Sequence, residues 1–205
     1  VECLTEGPRC REGGGDDAAR LARLAEARRE RLGRPAIFVG TGTCGLGAGA
    51  GKTLAALRAY LAGRGVEADV VETGCIGLCV AEPIVDVQLP GRARLSLRNV
   101  AAADVPSVMD AVLDGRPDAG RVLGQFAPAG EQRPWEGVPR LDEHPFFAAQ
   151  TRWVLINCGV IDPTSLGEYV ARGGYRALAR ALREITPEEV CRTVEASGLR
   201  GRGGG

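Results

Sequence analysis

Cys44, Cys75 and Cys79 are the residues whose type and spacing could carry chemistry in this chain. Cys44 lies among the glycines of AIFVGTGTCGLGAGAGKT, residues 36–53, and Cys75 and Cys79 form a C-x3-C pair within TGCIGLC. Thiolates held on glycine-rich turns can approach one iron–sulfur cluster from two loops. Gly42, Gly45, Gly74 and Gly77 would then leave backbone amides free to bond the sulfurs.

The first of these loops also admits two phosphate-binding readings. Gly40, Gly42 and Gly45 satisfy the dinucleotide pattern G-x-G-x-x-G, with Glu67 or Asp69 at a tolerable distance for a ribose contact. Glycine is abundant enough here, at 30 of 205 residues, for that match to arise by chance. The P-loop pattern G-x-x-x-x-G-K-[ST] would end on Gly51, Lys52 and Thr53 but needs glycine where Leu46 stands, and a side chain there would occupy the place of amides wrapping a phosphate. No acid pair and no nucleophile with a neighbouring base can be assembled. Cys158 and Cys191 are expected as small buried side chains, and His144, the one histidine, as a loop or capping residue.

The elements that must position the thiols follow from periodicity and breakers. Leu21, Leu24, Ala25 and Leu32 predict an amphipathic helix over residues 16–32, and Pro35 separates it from a strand over 36–39. A helix over 48–61 carries Leu54, Leu57, Tyr60 and Leu61, and a second strand covers 68–72. Such a strand–helix–strand unit is parallel and right-handed, so the loops bearing Cys44 and Cys75 leave neighbouring strands at the same end. A hairpin follows, with strands over 84–88 and 94–97 around Pro90 and Gly91, and then a helix over 104–113. This order predicts an α/β, thioredoxin-like sandwich, not a doubly wound sheet, which would continue with a third parallel strand. Residues 115–145, with five prolines, are expected as a linker. A strand-like run over 153–157 and helices over 165–171, 174–182 and 187–196 complete the chain.

Composition bounds the partners. Lys plus Arg equals Asp plus Glu at 26 each, so no net charge draws the chain to nucleic acid or an anionic membrane. Its apolar runs are far too short for a membrane span, and the N-terminus lacks a signal-peptide core. Seven cysteines, an odd number widely spread, do not resemble a secreted disulfide framework, and a cytoplasmic location is expected.

Cys44, then Cys75-Ile76-Gly77-Leu78-Cys79 followed by Ala81-Glu82-Pro83, resembles the thioredoxin-like 2Fe–2S ferredoxin family. Residues 144–205, with HPFFAAQTRWVLINCGVIDPTSLGEYVARGGYRAL, TPEEV and SGLRGRGGG, are similar to the opening of the flavin- and NADH-binding subunit shared by NADH dehydrogenases, NAD-linked hydrogenases and NAD-dependent formate dehydrogenases. The resemblance implies an extension and helix over 1–33, a ferredoxin-type domain over 34–115, a linker over 116–145 and the helical start of a flavin-binding domain over 146–205. It implies hydride transfer from NADH to FMN, electrons leaving singly through iron–sulfur clusters, and partner subunits in a multisubunit redox complex. Gly201, Arg202, Gly203 and Gly204 would begin the FMN phosphate cradle, and Cys44, Cys75 and Cys79 would ligate the cluster.

Two departures bear on these expectations. The ferredoxin pattern has a fourth cysteine, which falls here on Val39. Cys3, Cys10, Thr41 or Thr43 would have to substitute, or the domain is a cluster-free docking module. The family's glycine loop also runs on past the equivalent of Gly205, so the chain is expected to be an N-terminal fragment that does not oxidise NADH alone. A dinucleotide-binding protein built on Gly40, Gly42 and Gly45 is the weaker alternative.

Overall fold

The computed structural model describes residues 17–201, which sort into two compact units: residues 25–165, and a smaller one formed by 17–24 with 166–201. A helix, α1 (Asp17–Ala27), runs across the first boundary.

The larger unit is built on a five-stranded mixed sheet. Its strands are β1 (Ala36–Gly40), β2 (Asp69–Thr73), β3 (Val85–Gln88), β4 (Leu95–Leu97) and β5 (Val122–Gln125), in the order β2-β1-β3-β4-β5. β1 and β2 are parallel, with Ala36 opposite Asp69 and Gly40 opposite Thr73. The remaining pairs are antiparallel. Between β1 and β2 lie a short helix, α2 (Thr43–Gly47), and a longer one, α3 (Ala50–Arg64). α3 is rich in Ala and Leu, good helix formers, and ends where Gly65 takes the left-handed conformation that closes helices. It buries Ala50, Leu54, Leu57 and Leu61, spaced three or four residues apart as one helical stripe requires, with Thr53 beside them.

That stripe packs with Ile37, Val39, Val85, Val87, Leu95 and Leu97 from the sheet and with α4 (Val105–Leu113), giving the main core. Fully burying each aliphatic side chain contributes roughly 1.5–3 kcal/mol before entropy is counted. Parallel β1 and β2 with an antiparallel hairpin beside them make the expected α/β sandwich. β3 runs antiparallel to β1, which rules out the doubly wound sheet that the dinucleotide-binding alternative needs.

Residues 115–145 are more than the expected linker. They contribute β5, which pairs with β4, and they place Trp135, 3% exposed, in the main core. The indole N–H donates to the Ala93 carbonyl, and the Gln125 side chain bonds the backbone of Trp135 and Val138. The prolines of this stretch shape an ordered return path, since a backbone satisfied by side chains needs no ladder. In contrast, the strand expected over 153–157 does not form. These residues make turns, with Trp153 82% and Val154 91% exposed, and no strand among the described residues pairs with them. High β-propensity without a neighbouring ladder does not produce a strand.

The smaller unit contains α6 (Leu166–Ala171), α7 (Arg176–Glu184) and α8 (Pro187–Ala196), with α5 (Pro145–Ala148) preceding them in the larger unit. Neither α7 nor α8 has a buried residue. α8 starts on local signals alone: Pro187 at its first position and a capping box in which Thr186 and Glu189 satisfy each other's backbone amides.

Candidate metal centre

Because β1 and β2 are parallel neighbours, the chain leaves both at the same end of the sheet, and the two cysteine-bearing loops meet there. Cys44 lies in α2, directly after β1, and Cys75 and Cys79 follow β2. Their sulfurs lie within 4.8 Å of one another. Cys44 Sγ and Cys79 Sγ are 3.1 Å apart, and Cys75 Sγ and Cys79 Sγ 3.8 Å apart. The glycines make this approach possible. A Cβ on Gly42 would stand 3.2 Å from the Cys75 backbone nitrogen, and one on Gly45 would stand 2.0 Å from the Gly40 carbonyl oxygen. The motif that reads as dinucleotide-binding therefore serves close contact between the two cysteine loops and within the first.

The thiols sit in different surroundings. Cys44 and Cys79 are exposed and Cys75 is half-buried. Burial pushes the Cys75 thiol up, opposed by the Gly77 N–H, which donates to Cys75 Sγ over 3.2 Å. Sharing a hydrogen bond with Cys44 raises the Cys79 thiol. Glu82, behind the loops, is buried; its carboxylate accepts from the Ile84 N–H at 2.8 Å and faces Gly40 and Gly45. Burial, and then the nearby Asp86, hold its carboxyl above the usual range.

Sequence reasoning missed the bracing of the second loop by residues 146–160. Arg152 Nη1 donates to the Ile76 carbonyl at 2.8 Å, and the Phe146 ring lies against Gly77. Arg94, buried, forms an ion pair with buried Asp86 through Nε at 2.9 Å and Nη2 at 2.6 Å. Its guanidinium also donates to the carbonyls of Gly159 and Val160 and lies over the rings of Phe38 and Phe126. The only sequence signal for this pairing is its placement: two opposite charges on the arms of one hairpin, with Asp86 opposite Ser96 and Arg94 just before β4, so that the guanidinium reaches the carboxylate diagonally.

The donor set fits an iron–sulfur cluster in kind: soft thiolates, glycine-lined loops and a backbone amide on sulfur. It supplies three of the four thiolates that a 2Fe–2S cluster takes. Val39, where the fourth would stand, is 0% exposed and packs in the main core. Thr41 is half-buried and Thr43 exposed. Cys3 and Cys10 lie outside the described residues, as do Arg202, Gly203 and Gly204 of the expected FMN cradle; Gly201 is exposed. His144 caps α5 as expected, its Nδ1 accepting from the Phe146 N–H. Cys158 is half-buried, and Cys191, expected to be buried, is exposed on α8, which buries none of its residues.

No protein-family profile matches the chain. A stretch of 55 residues is 53% identical to the NADP-reducing hydrogenase subunit HndC of Solidesulfovibrio fructosivorans, covering 27% of this chain and 11% of that protein. Over 51 residues the chain is 53% identical to an NADH-quinone oxidoreductase component of Rhizobium meliloti, covering 25% of this chain and 12% of that one. Among solved structures, a thioredoxin-like [2Fe–2S] ferredoxin from Aquifex aeolicus matches 48% of this chain and 98% of its own with a TM-score of 0.40 and 19% identity. The match thus spans about a tenth of the length of the curated relatives. These curated likenesses support the resemblance to subunits of NADH dehydrogenases and NAD-linked hydrogenases drawn from the residues above.

Proposed function

We propose that the chain is the ferredoxin-type unit and the start of the flavin domain of an NADH-oxidising flavoprotein subunit, and that it serves electron transfer. The observation that carries this reading is the meeting of Cys44, Cys75 and Cys79 at one end of β1 and β2, with sulfurs within 4.8 Å of one another. Those three residues would hold the cluster, which supplies one-electron storage when bound. The chain's own share is positional. Gly42 and Gly45 let the loops close, Gly77 N–H donates to a sulfur, and residues 146–160 brace the loop between Cys75 and Cys79. Gly201, Arg202, Gly203 and Gly204 would begin the FMN cradle, with backbone amides and one guanidinium turned to phosphate. Partner subunits of a redox complex would receive the electrons, and a reducing cytoplasm would keep the thiols free for metal. No described helix is long and apolar enough to cross a membrane.

Anaerobic reconstitution with iron and sulfide tests the reading. The expected result is visible absorption and a paramagnetic signal on reduction, both abolished by Cys75→Ser. A colourless protein with iron well below stoichiometric would overturn it. That outcome would favour the second reading, a cluster-free docking module, which the aliphatic Val39 in place of a thiolate supports.

A further inference from the structure

The sulfur positions carry a second assignment. Thiolates bound to one zinc ion at about 2.3 Å occupy corners of a tetrahedron roughly 3.8 Å apart. The Cys75–Cys79 separation of 3.8 Å matches that edge, the Cys44–Cys79 separation of 3.1 Å must open by about 0.7 Å to reach it, and all three sulfurs lie within 4.8 Å of one another. They therefore lie close enough for one ion to draw all three into its coordination shell. A two-iron cluster instead distributes its thiolates as pairs over two metal atoms, and the pair partner of Cys44 is replaced by the buried aliphatic Val39. Among the described residues no further His, Cys, Asp or Glu joins the group. Cys44 and Cys79 are exposed, so the fourth corner is open to solvent. Soft thiolates suit a borderline-soft ion that needs no particular d-electron geometry, and the Gly77 N–H on Cys75 Sγ is the outer contact that steadies a metal-bound thiolate.

We propose that the cluster-free chain binds one Zn²⁺ through Cys44, Cys75 and Cys79, with the fourth coordination position left to water. Each thiol releases its proton as it binds, and no electron is transferred. Zinc and an iron–sulfur cluster are then alternative occupants of the same three sulfurs. The assignment rests on the sulfur geometry and stands or falls separately from the flavoprotein reading.

The test is anaerobic titration of the reduced, metal-free whole chain with Co²⁺, a chromophoric probe of zinc sites, followed by Zn²⁺. The expected result is one cobalt per chain with tetrahedral absorption, thiolate-to-cobalt charge transfer of three-sulfur intensity, and complete displacement by one equivalent of zinc. Cys44→Ser and Cys79→Ser, at exposed positions, should each weaken binding by at least the roughly 10- to 100-fold that an outer partner alone is worth. Cys158→Ser and Cys191→Ser should leave it unchanged, and circular dichroism checks that each variant is folded. Failure to bind cobalt, four-sulfur intensity, or binding that survives Cys79→Ser would each overturn the proposal. A chain that takes up iron and sulfide but no cobalt sinks this proposal alone; the reverse result sinks only the cluster.

Discussion

One face of the sheet presents Ile37, Val39, Val85, Val87, Leu95 and Leu97 to α3 and α4, whereas the other presents Phe38, Asp86, Gln88 and Ser96, with Arg94 just before β4. Both faces are buried. The first is closed by helices whose buried side chains are apolar except for Thr53, which donates to the Val100 carbonyl at 2.8 Å. The second is closed by irregular backbone, whose carbonyls must be satisfied: Arg94 donates to Gly159 and Val160, and Gln88 donates to Arg29. A helix has already paired its own backbone groups, so it can lie on an apolar surface. A loop has not, and the surface that receives it must carry donors. The contrast explains why VDVQ in β3, an alternation that reads as half-exposed, is buried at all four positions.

Substitutions that separate the two faces sharpen this contrast. The largest effect is expected from Arg94→Ala, which strands the Asp86 carboxylate in the interior and opens a space between Phe38 and Phe126. Loss of a buried partner costs about 3–5 kcal/mol, read from the denaturant midpoint. Replacing both members, Arg94→Met with Asp86→Leu, should recover much of that loss if the pair is chiefly a problem of uncompensated charge. On the opposite face Leu95→Ala is expected to cost about 2–5 kcal/mol, with no second substitution able to restore it by charge cancellation. A paired variant as unstable as Arg94→Ala would show that the polar face depends on the donors to residues 159–160 more than on the ion pair.

Gly45→Ala comes next. Its new methyl would meet the Gly40 carbonyl at 2.0 Å, so the turn carrying Cys44 must shift. Overpacking of this kind costs about 1–3 kcal/mol, and metal uptake should fall with it. Gly47→Ala, in the same helix with nothing within 4 Å, is the matched control and should leave uptake intact.

The smallest effect concerns Glu82, on the polar side of the sheet beside Asp86. Its folded carboxyl titrates above the usual glutamate range because it is buried. As pH rises through the ordinary glutamate range the unfolded chain ionises first, so stability falls from there until the folded group has also ionised, and stays lower above that point. Glu82→Gln keeps an acceptor for the Ile84 N–H and removes the buried charge. It should flatten this slope and stabilise the protein at neutral pH by about 1 kcal/mol, measured from unfolding midpoints at acidic and neutral pH. An unchanged slope would place the titrating group elsewhere.

Local residue patterns suffice for the strand–helix–strand order, the hairpin and the placement of Cys44, Cys75 and Cys79 at one end of two parallel strands. Each of these follows from short-range periodicity and from the handedness of the crossover. Helices α3 and α4 are legible because their apolar stripes repeat at helical spacing. The fifth strand is not: VLGQ is short, contains glycine and sits among prolines, and its support is long-range, from the pairing with β4, the bridge between Gln125 and Arg140 and the bonds between Gln125 and Trp135. The apolar WVLI run shows the converse, strong local preference that yields turns when no ladder is beside it. Long-range packing was needed to cover the polar face of the sheet, to commit Gly42 and Gly45 to contact between and within the cysteine loops, and to turn Val39 into the core. Those outcomes depend on atoms distant in sequence meeting in space, and the energy of such meetings is not written in any local pattern of residues.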